Sequence, residues 1–191
     1  MRVSPLGILA AGNPPLAARL AAEDAGLTHP HPACRATSAA YAAAIAVGIA
    51  GAGPEEMWAT AHAHAGSGAG AEAVRGRLLA ARHAKPDDYQ GHMGWVLTGL
   101  QNAFYWLMQG TGLAEAMGAT VGQGGDTDTN AAICGALLGA TQGRDSVPLQ
   151  WRNAVLTCRP VEQPGVLHPR PGTYWPDDAF ELAEALLVAA D

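Results

Sequence analysis

The sequence is poor in aromatic and in charged side chains. Phe, Tyr and Trp make up 6% of its 191 residues, and Asp, Glu, Lys and Arg make up 15%, whereas 49% are hydrophobic. So few charges among so many hydrophobic residues exclude a chain that self-repulsion keeps disordered. The shortage of aromatic residues also disfavours a fold rich in β-strands, where aromatic and β-branched residues are enriched.

Basic runs, cysteine pairs and long apolar segments are missing as well. The net charge is −6, and without a basic run the chain lacks the surface that binds nucleic-acid phosphates. Cys34, Cys134 and Cys158 form no CxxC pair, which argues against a disulfide framework or a zinc ribbon and predicts buried free thiols. The longest apolar stretches, such as residues 39–50, contain Gly and are too short to span a bilayer. We expect a cytoplasmic protein that binds neither nucleic acid nor membrane.

Small residues are abundant instead, with 41 Ala and 24 Gly. Because Ala favours helices and small side chains let helices approach each other, the composition predicts an all-α protein. The length predicts one domain over residues 1–191. Pro and Gly predict helical segments at 14–26, 32–51, 54 onward, 71–83, 95–107, 113–120, 131–140, 146–155 and 175 onward. Gly135 and Gly139 predict a close helix contact, and Leu182, Leu186 and Leu187 are expected to face the core.

The string Gly124–Thr129, GGDTDT, lies between a glycine-rich turn and a predicted helix. One interpretation is an N-cap, which stabilises a helix by about 0.5–2 kcal/mol. A cap needs only one carboxylate, whereas Asp126 and Asp128 would repel each other by about 3 kcal/mol at about 5 Å and an effective dielectric of about 20. A bound cation would remove that conflict. Two carboxylates and the Thr129 hydroxyl are hard oxygen ligands that suit Mg²⁺, Mn²⁺ or Ca²⁺.

Two further segments could contact a ligand. Pro30 and Pro32 hold the chain extended around His29, which is either a locally hydrogen-bonded residue at a helix start or a ligand-binding one. Trp95 follows Gly94 at the start of an apolar segment, so it is either a core residue or a surface on which a nucleotide base stacks.

The other acidic pairs and histidines predict no site. Asp87 and Asp88 follow a proline, as do two acids near the C-terminus, and such residues most simply serve as turn or first-turn acids. His62 and His64 are two residues apart on a predicted helix, so they point in different directions and cannot chelate one ion.

Together these motifs resemble the ADP-ribosylglycohydrolase family, which includes the dinitrogenase reductase-activating glycohydrolases and the ADP-ribosyl-arginine and ADP-ribosyl-serine hydrolases. Residues 124–140, GGDTDTNAAICGALLGA, resemble the C-terminal metal motif of the family and the small-residue helix after it. Residues 28–30 resemble its Thr-His element, and residues 94–96 its Gly-aromatic-Val loop. Pro148 and Trp151 resemble its Ile-Pro-x-x-Trp segment.

The resemblance implies a compact orthogonal helical bundle and a hydrolase that cleaves at the ribose anomeric carbon. Its substrate would be an ADP-ribosylated protein or a related conjugate, and ADP-ribose would be its ligand. Asp126, Asp128 and Thr129 would bind a binuclear Mg²⁺ or Mn²⁺ centre. The residues implied to line the ADP-ribose cleft are His29, Gly94, Trp95 and Gly125.

The sequence departs from the family at its N-terminus. It contains no Thr-Asp-Asp-Thr string, the other half of the family's metal site, and residues 1–7 resemble an internal family segment. The resemblance therefore implies a family domain that lacks its N-terminal portion, with the catalytic acid upstream of Met1 and a weak or partial metal site. Helices without their neighbours would leave apolar faces exposed, which predicts self-association or a complementing N-terminal portion. The alternative is a non-catalytic protein of the family that binds ADP-ribose or has a structural role.

Overall fold

The computed structural model describes residues 1–189 and confirms the all-α prediction: helices and no strand occur in that range. The α-helices are α1 Ser4–Leu9, α2 Pro14–Thr28, α3 Pro32–Ile49, α4 Pro54–Ala63, α5 Ala69–Ala81, α6 Val96–Met108, α7 Leu113–Val121, α8 Thr127–Gln142, α9 Leu149–Leu156 and α10 Ala179–Val188. Short 3₁₀ turns lie at Arg144–Ser146, Gly172–Tyr174 and Pro176–Asp178. Within the described range, no helix has the length and apolar character needed to cross a membrane.

The predicted helix starts at prolines are confirmed, because α2, α3 and α4 each begin at one. Asn13 caps α2 by accepting a hydrogen bond from the Leu16 amide over 3.2 Å. Several boundaries differ from the prediction: α2 continues to Thr28, and α5, α9 and α10 begin at Ala69, Leu149 and Ala179 rather than at 71, 146 and 175. The short helix α1 was not expected, and α8 begins at Thr127, four residues before the predicted start.

Helix α3 runs through the centre of the molecule, packed against α1, α2, α4, α5, α6 and α8. Its residues Ala39–Ala46 are all buried. Small residues on both sides make the close packing possible. A Cβ placed on Gly7 of α1 would lie 2.5 Å from Ile45 Cγ2, and one on Gly70 of α5 would lie 2.6 Å from the Pro32 carbonyl carbon. The abundance of Ala and Gly therefore reflects a core in which backbones nearly touch.

The predicted close contact at Gly135 is confirmed between α7 and α8. A Cβ there would lie 2.9 Å from Met117 Sδ, whereas one on Gly139 would meet Leu113 Cδ1 at an ordinary 3.8 Å.

Two predictions for the C-terminal part are wrong. Leu182 and Leu187 do not face the core, since they are 55% and 40% exposed, and Leu186 is only half-buried. Cys158 is exposed rather than buried, whereas Cys134 is buried as predicted. Helix α10 packs mainly on the short helix α1 and on its own preceding turn, which cannot cover its apolar residues.

Candidate active site

The turn before α8 brings its two aspartates together. Gly124 and Gly125 have φ values of +76° and +69°, a left-handed conformation that glycine adopts without strain. Asp126 occupies the N-cap position, but its side chain makes no capping hydrogen bond. Capping therefore does not account for Asp126, although its residue type and position are typical of a cap.

The Asp128 carboxylate is hydrogen-bonded to the first turn of α8. Its Oδ1 accepts a hydrogen bond from the Thr129 amide over 2.9 Å. This bond and a hydrogen bond with the Asp126 carboxyl hold the pKa of Asp128 below its ordinary value. The two carboxyl groups are thus close enough to interact at the helix start, with the Thr129 side chain following on the first turn.

The sequence-predicted residues Gly94 and Asp126 are neighbours although 32 positions separate them. Gly94 has a φ of +76°, and a Cβ on it would lie 3.4 Å from Asp126 Oδ2. Glycine therefore suits both the backbone conformation and the space there.

A cavity of about 400 Å³ opens beside this turn. Its wall includes four residues that the sequence predicted for the site: His29, Gly94, Trp95 and Thr129. These come from the end of α2, the loop before α6 and the start of α8. Gly125, Asp126 and Asp128 are not part of that wall. Asp126 Oδ2 lies close to Gly94, which is part of the wall.

His29 of the cavity wall and the nearby His31 are locally hydrogen-bonded, and for His29 this agrees with one of the two interpretations. His29 Nδ1 lies 2.8 Å from Thr28 Oγ1, which leaves Nε2 as its other polar atom. His31 Nδ1 accepts from the Ala33 amide at the start of α3, and its ring packs edge-on against Trp95 with centroids 5.5 Å apart. Trp95 is half-buried, so its position is set by packing while part of the ring remains open.

Sequence reasoning did not predict several residues of the cavity wall. Arg2 donates from Nε to Asp24 Oδ2 and from Nη2 to the Asp24 carbonyl, both over 2.9 Å. The pair lines the cavity together with Cys34 and Ser38 of α3. Cys34 and Ser38 could have been found from their spacing of four residues, which places both on one helix face. No local pattern links Arg2 to Asp24.

The described residues contain no ready-made cluster of metal ligands. Within positions 1–189, no group of three or more His, Cys, Asp and Glu side chains is arranged to hold a metal ion. The Asp126–Asp128 pair and the Thr129 hydroxyl together offer three oxygen-bearing side chains, all of the hard type that Mg²⁺ and Mn²⁺ bind. In donor chemistry the set fits such an ion, but it fills at most half of an octahedral shell.

Comparison with known proteins gives one extended match and one short one. The sequence pattern of the family described as ADP-ribosylglycohydrolase matches residues 1–189. The ADP-ribosylhydrolase ARH3 of Danio rerio is 40% identical over 52 residues, which are 27% of this chain and 13% of that protein. No solved structure matches the chain significantly. Because the family pattern extends over nearly the whole sequence and the all-α architecture agrees with it, the chain belongs to the ADP-ribosylglycohydrolase family.

Proposed function

We propose that the protein is a metal-dependent hydrolase that removes ADP-ribose from a modified protein side chain or a related conjugate. Membership of the family supports ADP-ribosyl hydrolase activity in general. The observation that carries the proposal for this chain is the cavity of about 400 Å³, where His29, Gly94, Trp95 and Thr129 meet beside the Asp126–Asp128 pair. Residues from three separate segments form one concave site next to charged groups, which is typical of a ligand-binding pocket.

In this proposal the cavity wall holds ADP-ribose. The open part of the Trp95 ring offers a flat apolar surface for the base or the ribose. His29 Nε2 is available for a hydrogen bond with a ribose or phosphate oxygen, because Thr28 orients the ring through Nδ1. The missing side chain at Gly94 lets a ligand approach the backbone between Trp95 and Asp126.

Asp126, Asp128 and Thr129 would hold a Mg²⁺ or Mn²⁺ ion at the edge of this cavity. The proximity of the two carboxyl groups supports this assignment, because a divalent cation stabilises such a pair. When bound, the ion would supply positive charge against ribose oxygens and lower the pKa of water at the site. Asp128 contributes by remaining ionised, which the Thr129 amide ensures. Cleavage adds water across the bond at the ribose anomeric carbon and releases the acceptor group with a proton.

Calorimetric titration of the chain with ADP-ribose at saturating Mg²⁺ or Mn²⁺ tests the proposal. We expect binding in the wild-type chain and a loss of at least about 10-fold in affinity in Asp126→Ala and in Asp128→Ala. Asp178→Ala is the matched control, since it removes an exposed carboxylate at the start of α10, outside the cavity wall.

The expected result for Asp178→Ala is unchanged affinity. A folded wild-type chain that gives no heat with ADP-ribose would contradict the proposal. Equal affinity of all three variants would contradict the role of the aspartates.

A further inference from the structure

We propose that Tyr89 is a positioning residue for the Gly124–Asp126 turn, and through that turn for the cation and ADP-ribose site. Tyr89 does not line the cavity beside α8, and none of the site motifs contains it. The inference deepens the proposed function and rests on it for its consequence, whereas the positioning itself can be measured without any ligand.

The first observation is that Tyr89 is anchored although it lies in a loop. Residues 82–95 join α5 to α6, yet Tyr89 is only 5% exposed. Its hydroxyl donates a hydrogen bond to Asn102 Oδ1 of α6 over 2.9 Å. Asn102 is fully buried, and its Nδ2 donates to Thr120 Oγ1 of α7 over 3.0 Å. The Tyr89 side chain is therefore tied to two helices at once.

The second observation is that the Tyr89 backbone touches the turn of the site. A Cβ on Gly125 would overlap the Tyr89 carbonyl oxygen, so the two backbones are in direct contact. Five residues later the same loop places Gly94 against Asp126. The loop therefore supports the turn at two points, Gly125 and Asp126.

The loop segment between Tyr89 and Gly94 is stiffened locally. Asp88 Oδ1 accepts hydrogen bonds from the Gln90 amide over 2.8 Å and the Gly91 amide over 2.7 Å. This is the turn role that the sequence predicted for Asp88. A displacement of Tyr89 should therefore be transmitted to the turn before α8 rather than absorbed within the loop.

Tyr89→Phe removes the hydroxyl while keeping the ring that fills the space. Asn102 Oδ1 also accepts from Trp106 Nε1 over 3.1 Å, so it keeps a donor in this variant and the fold should survive. Trp106→Phe is the matched control. It removes another hydrogen bond to the same oxygen, from a half-buried residue of α6 that is not in the loop.

The experiment measures amide hydrogen exchange in residues 122–130 and, separately, the affinity for Mn²⁺ by calorimetry. We expect Tyr89→Phe to speed exchange in that segment by about 10-fold and to weaken Mn²⁺ binding by about 10-fold. Trp106→Phe should stay within about twofold of wild type in both measurements, even where it lowers the melting temperature as much.

The proposal is overturned if both variants change exchange in residues 122–130 equally, or if neither changes it. It is also overturned if exchange rises in Tyr89→Phe while a measurable wild-type Mn²⁺ affinity stays the same. A wild-type chain that binds neither Mn²⁺ nor ADP-ribose would contradict the proposed function instead, and the exchange comparison would still decide whether Tyr89 positions the turn.

Discussion

The helices up to Gln142 and the chain that follows them are held in place by different interactions. In the first region the backbones pack closely, and every buried residue of the described chain lies at or before Leu138. Helices α9 and α10 of the second region contain no buried residue. That region is joined by exposed polar and aromatic contacts, such as Arg159 over the Trp175 ring at 5.3 Å and Arg159 beside Asp177 at 3.5 Å.

This difference has a consequence for the site. Such surface contacts contribute about 1 kcal/mol or less each, whereas burial of a large apolar side chain contributes about 1.5–3 kcal/mol. All the candidate site residues, from His29 to Thr129, belong to the closely packed region. The molecule thus places its cavity in the closely packed region, and the second region contacts that region mainly through α10 on α1.

The cysteines give the largest expected contrast between the two regions. At pH 8 with an aromatic disulfide reagent, we expect Cys158 to react at once and Cys134 at least about 10³-fold more slowly. Cys158 is exposed. Cys134 is fully buried, and burial raises the pKa of its thiol to about 11, so only about 10⁻³ of it is thiolate at pH 8.

Cys34, half-buried at the cavity wall and with its pKa also raised by burial, should react at an intermediate rate. Single Cys→Ser variants assign the phases of the time course. Labelling of Cys134 within about tenfold of Cys158 would mean that the first region opens as readily as the second and is not the more firmly packed of the two.

The next largest expected effect is on the free energy of unfolding, from replacing the two phenylalanines. Each region contains one of them. Phe104 of α6 is fully buried, and Phe180 of α10 is 43% exposed with the Arg144 guanidinium 5.0 Å from its ring centre. We expect Phe104→Ala to lower the free energy of unfolding by about 3–5 kcal/mol. Phe180→Ala should lower it by about 1 kcal/mol or less, measured by urea denaturation. An equal loss of unfolding free energy in the two variants would show that the second region is packed as tightly as the first.

Local sequence signals predicted the helices well, because the forces that start a helix act within a few residues. Asn13 and the prolines at 14, 32 and 54 set helix starts by capping and by a fixed φ, and both effects are visible in the sequence. The orientation of α10 could not be predicted in this way. Its leucines repeat as if they faced a core, but no element covers Leu182 or Leu187 within the described residues.

The site was predicted in pieces rather than as a whole. The GGDTDT turn, His29 and Trp95 each stood out locally, yet their assembly around one cavity depends on packing between α2, α3, α6 and α8. The Arg2–Asp24 pair and the contact of Tyr89 with Gly125 join residues 22 and 36 positions apart. Such contacts follow from the tertiary fold, so no residue spacing in the sequence predicts them.

Glycines with positive φ give the smallest and most specific contrast. Gly125→Ala, Gly110→Ala and Gly165→Ala each force a side chain into a left-handed conformation, at φ values of +69°, +65° and +91°. That conformation alone costs about 1–2 kcal/mol. A Cβ meets nothing within 4 Å at Gly110 or Gly165, but at Gly125 it overlaps the Tyr89 carbonyl oxygen. By thermal unfolding we expect Gly125→Ala to be the most destabilised and Gly165→Ala the least, because the second region can relax around the new side chain.

Only Gly125→Ala should also weaken ADP-ribose binding, since it alone moves the turn that carries Asp126 and Asp128. Gly110→Ala is the decisive control, because it introduces nearly the same backbone strain in the same closely packed region but away from the cavity. If Gly110→Ala lost as much affinity as Gly125→Ala, general destabilisation would explain both losses. If it kept wild-type affinity while Gly125→Ala lost it, the fit of the turn against Tyr89 would be the cause, because strain of similar size elsewhere leaves binding intact.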